Sequence, residues 1–254
     1  MSSITKVAGA ANRSNRFFGV WMSLILALVA TDLQAQMFSV TPNRDVISRP
    51  GFVLSAGYEP TNVTYTGPAT MLPFEDLSFS GNLLKFQVEA GGLVFTMSTG
   101  RNLGETNIRY SSFGAVLGSE FVFVRRPKFE IGVPLQITSL YTTMTNTAAQ
   151  SRSRDFIQNA LGIASGLEAQ IRLTPRFRVA IEGTGGYAFS SSAINSNGGG
   201  MSQFHASALL YGDALVRSFG FVTGVQAHSR SYLLEESQFN YDMASVSFMV
   251  GVTF

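Results

Sequence analysis

Counting back by twos from Phe254, the chain reads Val252, Val250, Phe248, Val246 and Ala244. The residues between them are Thr253, Gly251, Met249, Ser247 and Ser245. Successive side chains of a strand point to opposite faces, so this segment predicts a strand with one greasy face and one small or polar face. The same rhythm recurs upstream. Phe177, Val179, Ile181, Tyr187 and Phe189 alternate with Arg178, Ala180, Glu182, Thr184 and Gly186, with Gly183 and Gly185 on the greasy register. Phe129, Ile131, Val133, Leu135 and Ile137 alternate with Glu130, Gly132, Pro134, Gln136 and Thr138. Leu161, Ile163, Leu167 and Ile171 alternate with Gly162, Ala164, Gly166, Glu168, Gln170 and Arg172. Nothing after Gln36 has convincing helical periodicity, so the body is expected to be all-β.

Turn residues divide the strands. Short turns are expected near Ala90-Gly91, Arg125-Arg126-Pro127, Thr174-Pro175-Arg176 and Arg217-Ser218. Longer polar loops are expected at Glu59 to Leu77, Arg101 to Thr106, Thr142 to Asp155, Ser190 to Met201 and Leu233 to Gln238. Short and long connections alternate, as they do in up-and-down membrane barrels with short periplasmic turns and long external loops. Counting back from Phe254 predicts about ten antiparallel strands, with eight as the alternative, beginning near Gly51. The first strand is expected around Phe52 to Tyr58. Phe121, Phe123, Phe129, Phe177 and Phe219 fall beside the short turns. Tyr141, Tyr187, Phe189 and Phe204 fall toward the long loops. Two aromatic belts suit the two interfaces of a bilayer. Lipid offers no partner to a free backbone N–H or C=O, so strands can cross it only as a closed sheet.

Composition agrees with hydrocarbon as the surrounding solvent. Of the 254 residues, 45% are hydrophobic and 13% charged, against about 25% charged in ordinary soluble domains. Cysteine is absent, which excludes disulfides and thiolate metal sites. The net charge of +2 arises in the first 35 residues, where Lys6, Arg13 and Arg16 outnumber Asp32. The remainder is balanced, and no basic stripe with interleaved aromatics suggests nucleic-acid binding.

Those three cations precede a short apolar run, Phe17 to Ala30, followed by Thr31 to Ala35. A positive start, an apolar middle too short to span a bilayer and a small final residue predict a secretory signal peptide over residues 1–35. An uncleaved anchor helix or an internal start are the alternatives. Residues 36–50 are then an N-terminal periplasmic segment and residues 51–254 the barrel.

Parity directs Glu120, Lys128, Glu130, Glu168, Arg172, Arg178 and Glu182 into the lumen, near the short turns. Two readings stay open for them: ion pairs that stiffen the barrel, and a charged constriction that selects solutes. His205, Ser207, His228 and Arg230 are expected to face the lumen nearer the long loops. A two-residue turn at Arg217-Ser218 would set His205 opposite Arg230 and His228 opposite Ser207. No acid is placed to orient either histidine, so lumen hydrogen bonding outweighs catalysis or metal binding. Gly198-Gly199-Gly200 reads as a loop tip, without the strand-to-helix context of a phosphate cradle.

The signal segment, the alternating hairpins and the terminal Val250-Gly251-Val252-Thr253-Phe254 together resemble the small porin-like outer-membrane β-barrels of Gram-negative bacteria. The resemblance implies a location in the outer membrane and outer-membrane lipid as a partner. It also implies that the last strand closes the barrel and is read by the barrel assembly machinery, through Phe248, Val250, Val252 and Phe254. No cofactor, metal or catalytic residue is implied. A structural or narrow passive porin-like role is expected first. Surface binding of an external ligand through the long loops, where Tyr65, Met71, Leu72 and Phe74 stand, is the alternative. A lipid-modifying enzyme using His205 and Ser207 is the minor one.

Overall fold

The computed structural model describes residues 50–68, 77–104, 107–147, 155–192, 198–216, 218–234 and 240–254. The expected signal peptide, most of the 36–50 segment, the loop residues Met71, Leu72 and Phe74, and Arg217 lie outside these.

The described residues form ten antiparallel strands in chain order: β1 (Phe52–Tyr65), β2 (Phe79–Ala90), β3 (Leu93–Leu103), β4 (Ile108–Arg126), β5 (Phe129–Asn146), β6 (Phe156–Arg172), β7 (Phe177–Ser192), β8 (Gly198–Val216), β9 (Phe219–Leu234) and β10 (Tyr241–Thr253). Each pairs with the next, and β1 pairs with both β2 and β10, so the sheet is a closed barrel. Ten is the expected number, and eight is set aside. Both strand edges disappear on closure, which is the only way a sheet satisfies its backbone in lipid.

Two-residue turns join β2 to β3, β4 to β5 and β8 to β9, and a four-residue turn joins β6 to β7. All lie at one end. The β2–β3 turn is Gly91-Gly92, both with positive φ (56° and 86°), the left-handed geometry that glycine enters at little cost. At Gly92 a side chain would also meet the Gly118 carbonyl at 2.7 Å.

The first strand is longer than expected. β1 runs to Tyr65, so Glu59 is a strand residue pointing inward and not the start of a loop. Pro60 has no N–H to give to a ladder. Here it points outward, and the β1–β10 pairing skips it, resuming at Thr61↔Ser245.

The outer face is greasy over the middle of the barrel and at the short-turn end. Phe189 is 78% exposed, Ile163 70%, Phe121 69% and Val250 65%, values no water-soluble barrel sustains as a belt. Near the long-loop end the pattern reverses. On β10 the outward residues change from Phe248 and Val246 to Ala244 and Asp242, while the inward ones change from Ser247 and Ser245 to Met243 and Tyr241. On β4 the outward side passes from Phe113 to Ser111 and Arg109, and the inward side from Ser112 to Tyr110 and Ile108. β1, β2, β5 and β9 make the same exchange. Strand period is unchanged; only the solvent outside is different. Where hydrocarbon surrounds the wall, apolar groups face out; where water does, they face in.

Candidate functional site: the barrel lumen

The inward side chains form three layers. The first, at the long-loop end, is apolar. Val63, Leu83, Leu103, Ile108, Tyr110, Met144, Phe156, Met201, Tyr232, Leu234, Tyr241 and Met243 pack into one buried cluster. The Phe156 ring meets Tyr232 edge-on at 5.2 Å and Tyr241 at 5.4 Å between centroids. Tyr232 Oη and Thr142 Oγ1 share a hydrogen bond of 3.0 Å across the lumen, from β9 to β5. Tyr110, Phe156, Met201 and Tyr241 have no exposed surface at all. In this layer apolar side chains from strands on both sides of the barrel meet across the lumen.

Beneath it lies a polar layer built around Glu59 and Lys85, each 3% exposed. Lys85 Nζ donates to Gln226 Oε1 (2.8 Å), His228 Nε2 (2.7 Å) and Ser247 Oγ (3.2 Å), and stands 3.9 Å from Glu59 Oε1. Glu59 accepts from Ser98 (2.6 Å), Ser245 (3.0 Å) and Ser247 (3.2 Å). A buried ion pair repays its desolvation only when the remaining lone pairs and protons are also bonded, and here they are. An ammonium is donor-only, so His228 Nε2 accepts and its Nδ1 carries the hydrogen. That Nδ1 lies 3.3 Å from His205 Nδ1, which therefore accepts. The two rings are 4.4 Å apart. Gln203 Nε2 donates to Thr138 Oγ1 at 2.9 Å, a second link across the lumen.

The third layer, at the short-turn end, is charged. Arg178 Nε donates to Asp213 Oδ2 at 2.9 Å, its Nη1 donates to Gln170 Oε1 at 3.3 Å, and its guanidinium stacks 3.7 Å over the Tyr211 ring. Gln170 Nε2 in turn donates to Glu168 at 2.8 Å, and Gln136 Nε2 to Glu182 at 2.8 Å. Arg125 pairs with Glu130 at 3.2 Å.

Glu120, Glu130, Glu168, Arg172, Arg178 and Glu182 lie on inward positions of their strands. Lys128 does not: it occupies the two-residue β4–β5 turn and is exposed, because the two residues of a tight turn leave the alternation of the strands they join. Its place opposite Glu130 is taken by Arg125. The bulge between Val122 and Val124 shifts β4 by one residue and turns Arg125 inward.

The histidine register also differs. His205 pairs with His228, Ser207 with Gln226, and Gln203 with Arg230. An irregularity between Gly212 and Val216, where Ala214 has φ 47°, slides β8 by two residues against β9. All four expected residues still point inward, since a slip of two preserves parity. His205 makes its contact with His228 rather than with Ser207. Arg230 Nη1 reaches up to Met243 Sδ at 3.8 Å, at the base of the apolar layer. Among the described residues, no group of three or more His, Cys, Asp or Glu could hold a metal ion.

Glu59 and Lys85 were not anticipated. Lys85 stands between Leu84 and Phe86 on a strand too short in apolar residues to show its period clearly. A cation flanked by two lipid-facing residues is the signal that could have found it. Asp213, well down β8 from His205, is the partner of Arg178.

A closed ten-stranded antiparallel barrel with a lipid-facing apolar belt and a polar, side-chain-filled middle defines the class: this is a small β-barrel of the outer-membrane type. Among solved structures, the chain is similar to the outer membrane protease OmpT from Escherichia coli, at 9% identity over 84% of this chain and 100% of that one, TM-score 0.45. It is similar also to Ail, the attachment invasion locus protein of Yersinia pestis, at 13% identity over 82% and 100%, TM-score 0.21. The translocator domain of the autotransporter NalP from Neisseria meningitidis matches at 11% identity over 90% and 97%, TM-score 0.33. No family model and no curated protein sequence matches the chain. At such identities and TM-scores, no activity of those proteins transfers to this one.

Proposed function

We propose that the protein is a non-enzymatic, plugged outer-membrane barrel whose role is structural: a rigid pedestal rather than a passage for solutes. The observation that supports this most directly is the apolar layer at the long-loop end, where Phe156, Tyr232 and Tyr241 meet in mid-lumen. A dry, close-packed layer has no room for a hydrated solute. The charged residues beneath it read best as stiffening pairs, because Arg178, Glu130 and their partners are bonded to one another. Planar-bilayer recording tests the reading. The wild-type barrel is expected to be silent, and Phe156→Gly with Tyr232→Gly to admit small ions. Steady openings of the wild type, altered by Arg178→Gln, would replace this reading with a narrow pore.

Export by residues 1–35 and folding through the barrel assembly machinery belong to the same proposal. Pulse-chase processing to a chain beginning at Gln36 tests the first. Retention of unfolded chain after Phe248→Ser and Phe254→Ser tests the second.

A second reading, surface binding through the long loops, is favoured by one feature. The sheet continues beyond the greasy belt with a polar outside and a packed inside, so the strand ends that lead into the long connections lie beyond that belt. Deleting 69–76 is expected to abolish any surface binding and leave the barrel folded.

A further inference from the structure

The rim at the short-turn end has cations on one side that nothing inside the barrel uses. Arg126 ends β4, Lys128 lies in the turn after it, and Arg176 lies in the turn between β6 and β7. All three are exposed. The two turns adjoin, for Arg172 N donates to the Lys128 carbonyl at 2.7 Å. None of the three side chains has an acidic partner among the described residues. Four acids of this end are bonded inward: Glu130 to Arg125, Asp213 to Arg178, and Glu168 and Glu182 to glutamines. The Gly91-Gly92 turn carries no charge. Among the described residues the positive patch is therefore local to the β4–β7 flank.

Its height on the barrel identifies what it meets. Phe121 (69% exposed) and Phe123 (53%) face outward on β4 just before it, and Leu173 (60%) is exposed in the turn after β6, so the patch sits where the apolar belt ends. Aromatic side chains mark the headgroup level of a membrane. Guanidinium and ammonium groups at that level, above buried acyl chains, complement phosphate oxygens. We infer that Arg126, Lys128 and Arg176 form a binding site for an anionic phospholipid headgroup in the leaflet at the short-turn side. The inference does not depend on whether the lumen conducts.

The test uses the full mature barrel in bilayer discs of phosphatidylcholine with graded phosphatidylglycerol, with retained lipid counted by native mass spectrometry. The wild type is expected to retain phosphatidylglycerol preferentially. Each cation is expected to contribute about fivefold, and 0.5 M salt to erase most of the preference by screening it. The triple variant Arg126→Gln, Lys128→Gln, Arg176→Gln is expected to lose the preference while unfolding at the wild-type urea midpoint. The pair Arg101→Gln, Arg109→Gln, at the opposite rim, is expected to keep it. Equal retention of both lipids by the wild type, a preference indifferent to salt, persistence in the triple variant, or equal loss in the Arg101/Arg109 pair would each overturn the site. The salt measurement on the wild type decides the matter even where the triple variant does not fold.

Discussion

At the scale of single residues, the position that matters most is Lys85. Its side chain is 3% exposed and held by Gln226, His228, Ser247 and Glu59. Removing one member of a buried pair strands the other charge, at about 3–5 kcal/mol. Lys85→Met is expected to lower unfolding stability in detergent by that order, read by urea denaturation. Adding Glu59→Gln is expected to recover a substantial part, because no uncompensated charge remains. Equal destabilisation by the single and double variants would mean that the pair contributes only packing. Arg178 illustrates the other side of the same physics. Its Nη2 is buried without a hydrogen-bond partner, although Nε and Nη1 are bonded and Tyr211 lies beneath it. The Tyr211 face is the compensation visible at that position.

At the scale of elements, strand packing separates two kinds of glycine. A side chain added at Gly166 on β6 would run into the Gly183 carbonyl, so backbone must move. One added at Gly183 on β7 would meet nothing within 4 Å, because it points to lipid. Gly166→Ala is expected to cost about 1–3 kcal/mol, and Gly183→Ala to be neutral by the same urea assay. The reversal of polarity along each strand makes a second contrast. Val250 lies in the greasy belt of β10, whereas Ser231 on β9 faces out beyond it. Val250→Arg is expected to cost about 2–4 kcal/mol, and Ser231→Arg about 0–1. Equal costs would place both in the same solvent and erase the boundary.

At the scale of the whole molecule, the barrel is two barrels end to end. One has lipid outside and a hydrogen-bonded polar filling; the other has a polar wall outside and an apolar filling. The first cannot be dispersed in water. Stripping detergent from the purified barrel is expected to aggregate it, as followed by light scattering. A stable detergent-free monomer would remove hydrocarbon as its solvent. In the second part apolar side chains meet across the lumen, since ten strands enclose little more than their own side chains can fill.

The alternation of Val246, Phe248, Val250 and Val252 with serines and glycine was enough to define strands, their parity and an outer wall in lipid. Parity survives any slip of two, so the inward direction of His205, His228, Arg178 and Glu182 was legible without knowing their partners. What pairs with what was not. Register depends on bulges at Phe123 and around Ala214, which are set by contacts between strands and leave no mark on the period of either one. Nor could period two reveal the apolar layer. Met243 and Phe156 are as apolar as Phe248, and only their inward position beyond the belt makes them filling rather than wall. Local alternation is a property of one strand; which solvent stands on each side of it is a property of the closed sheet.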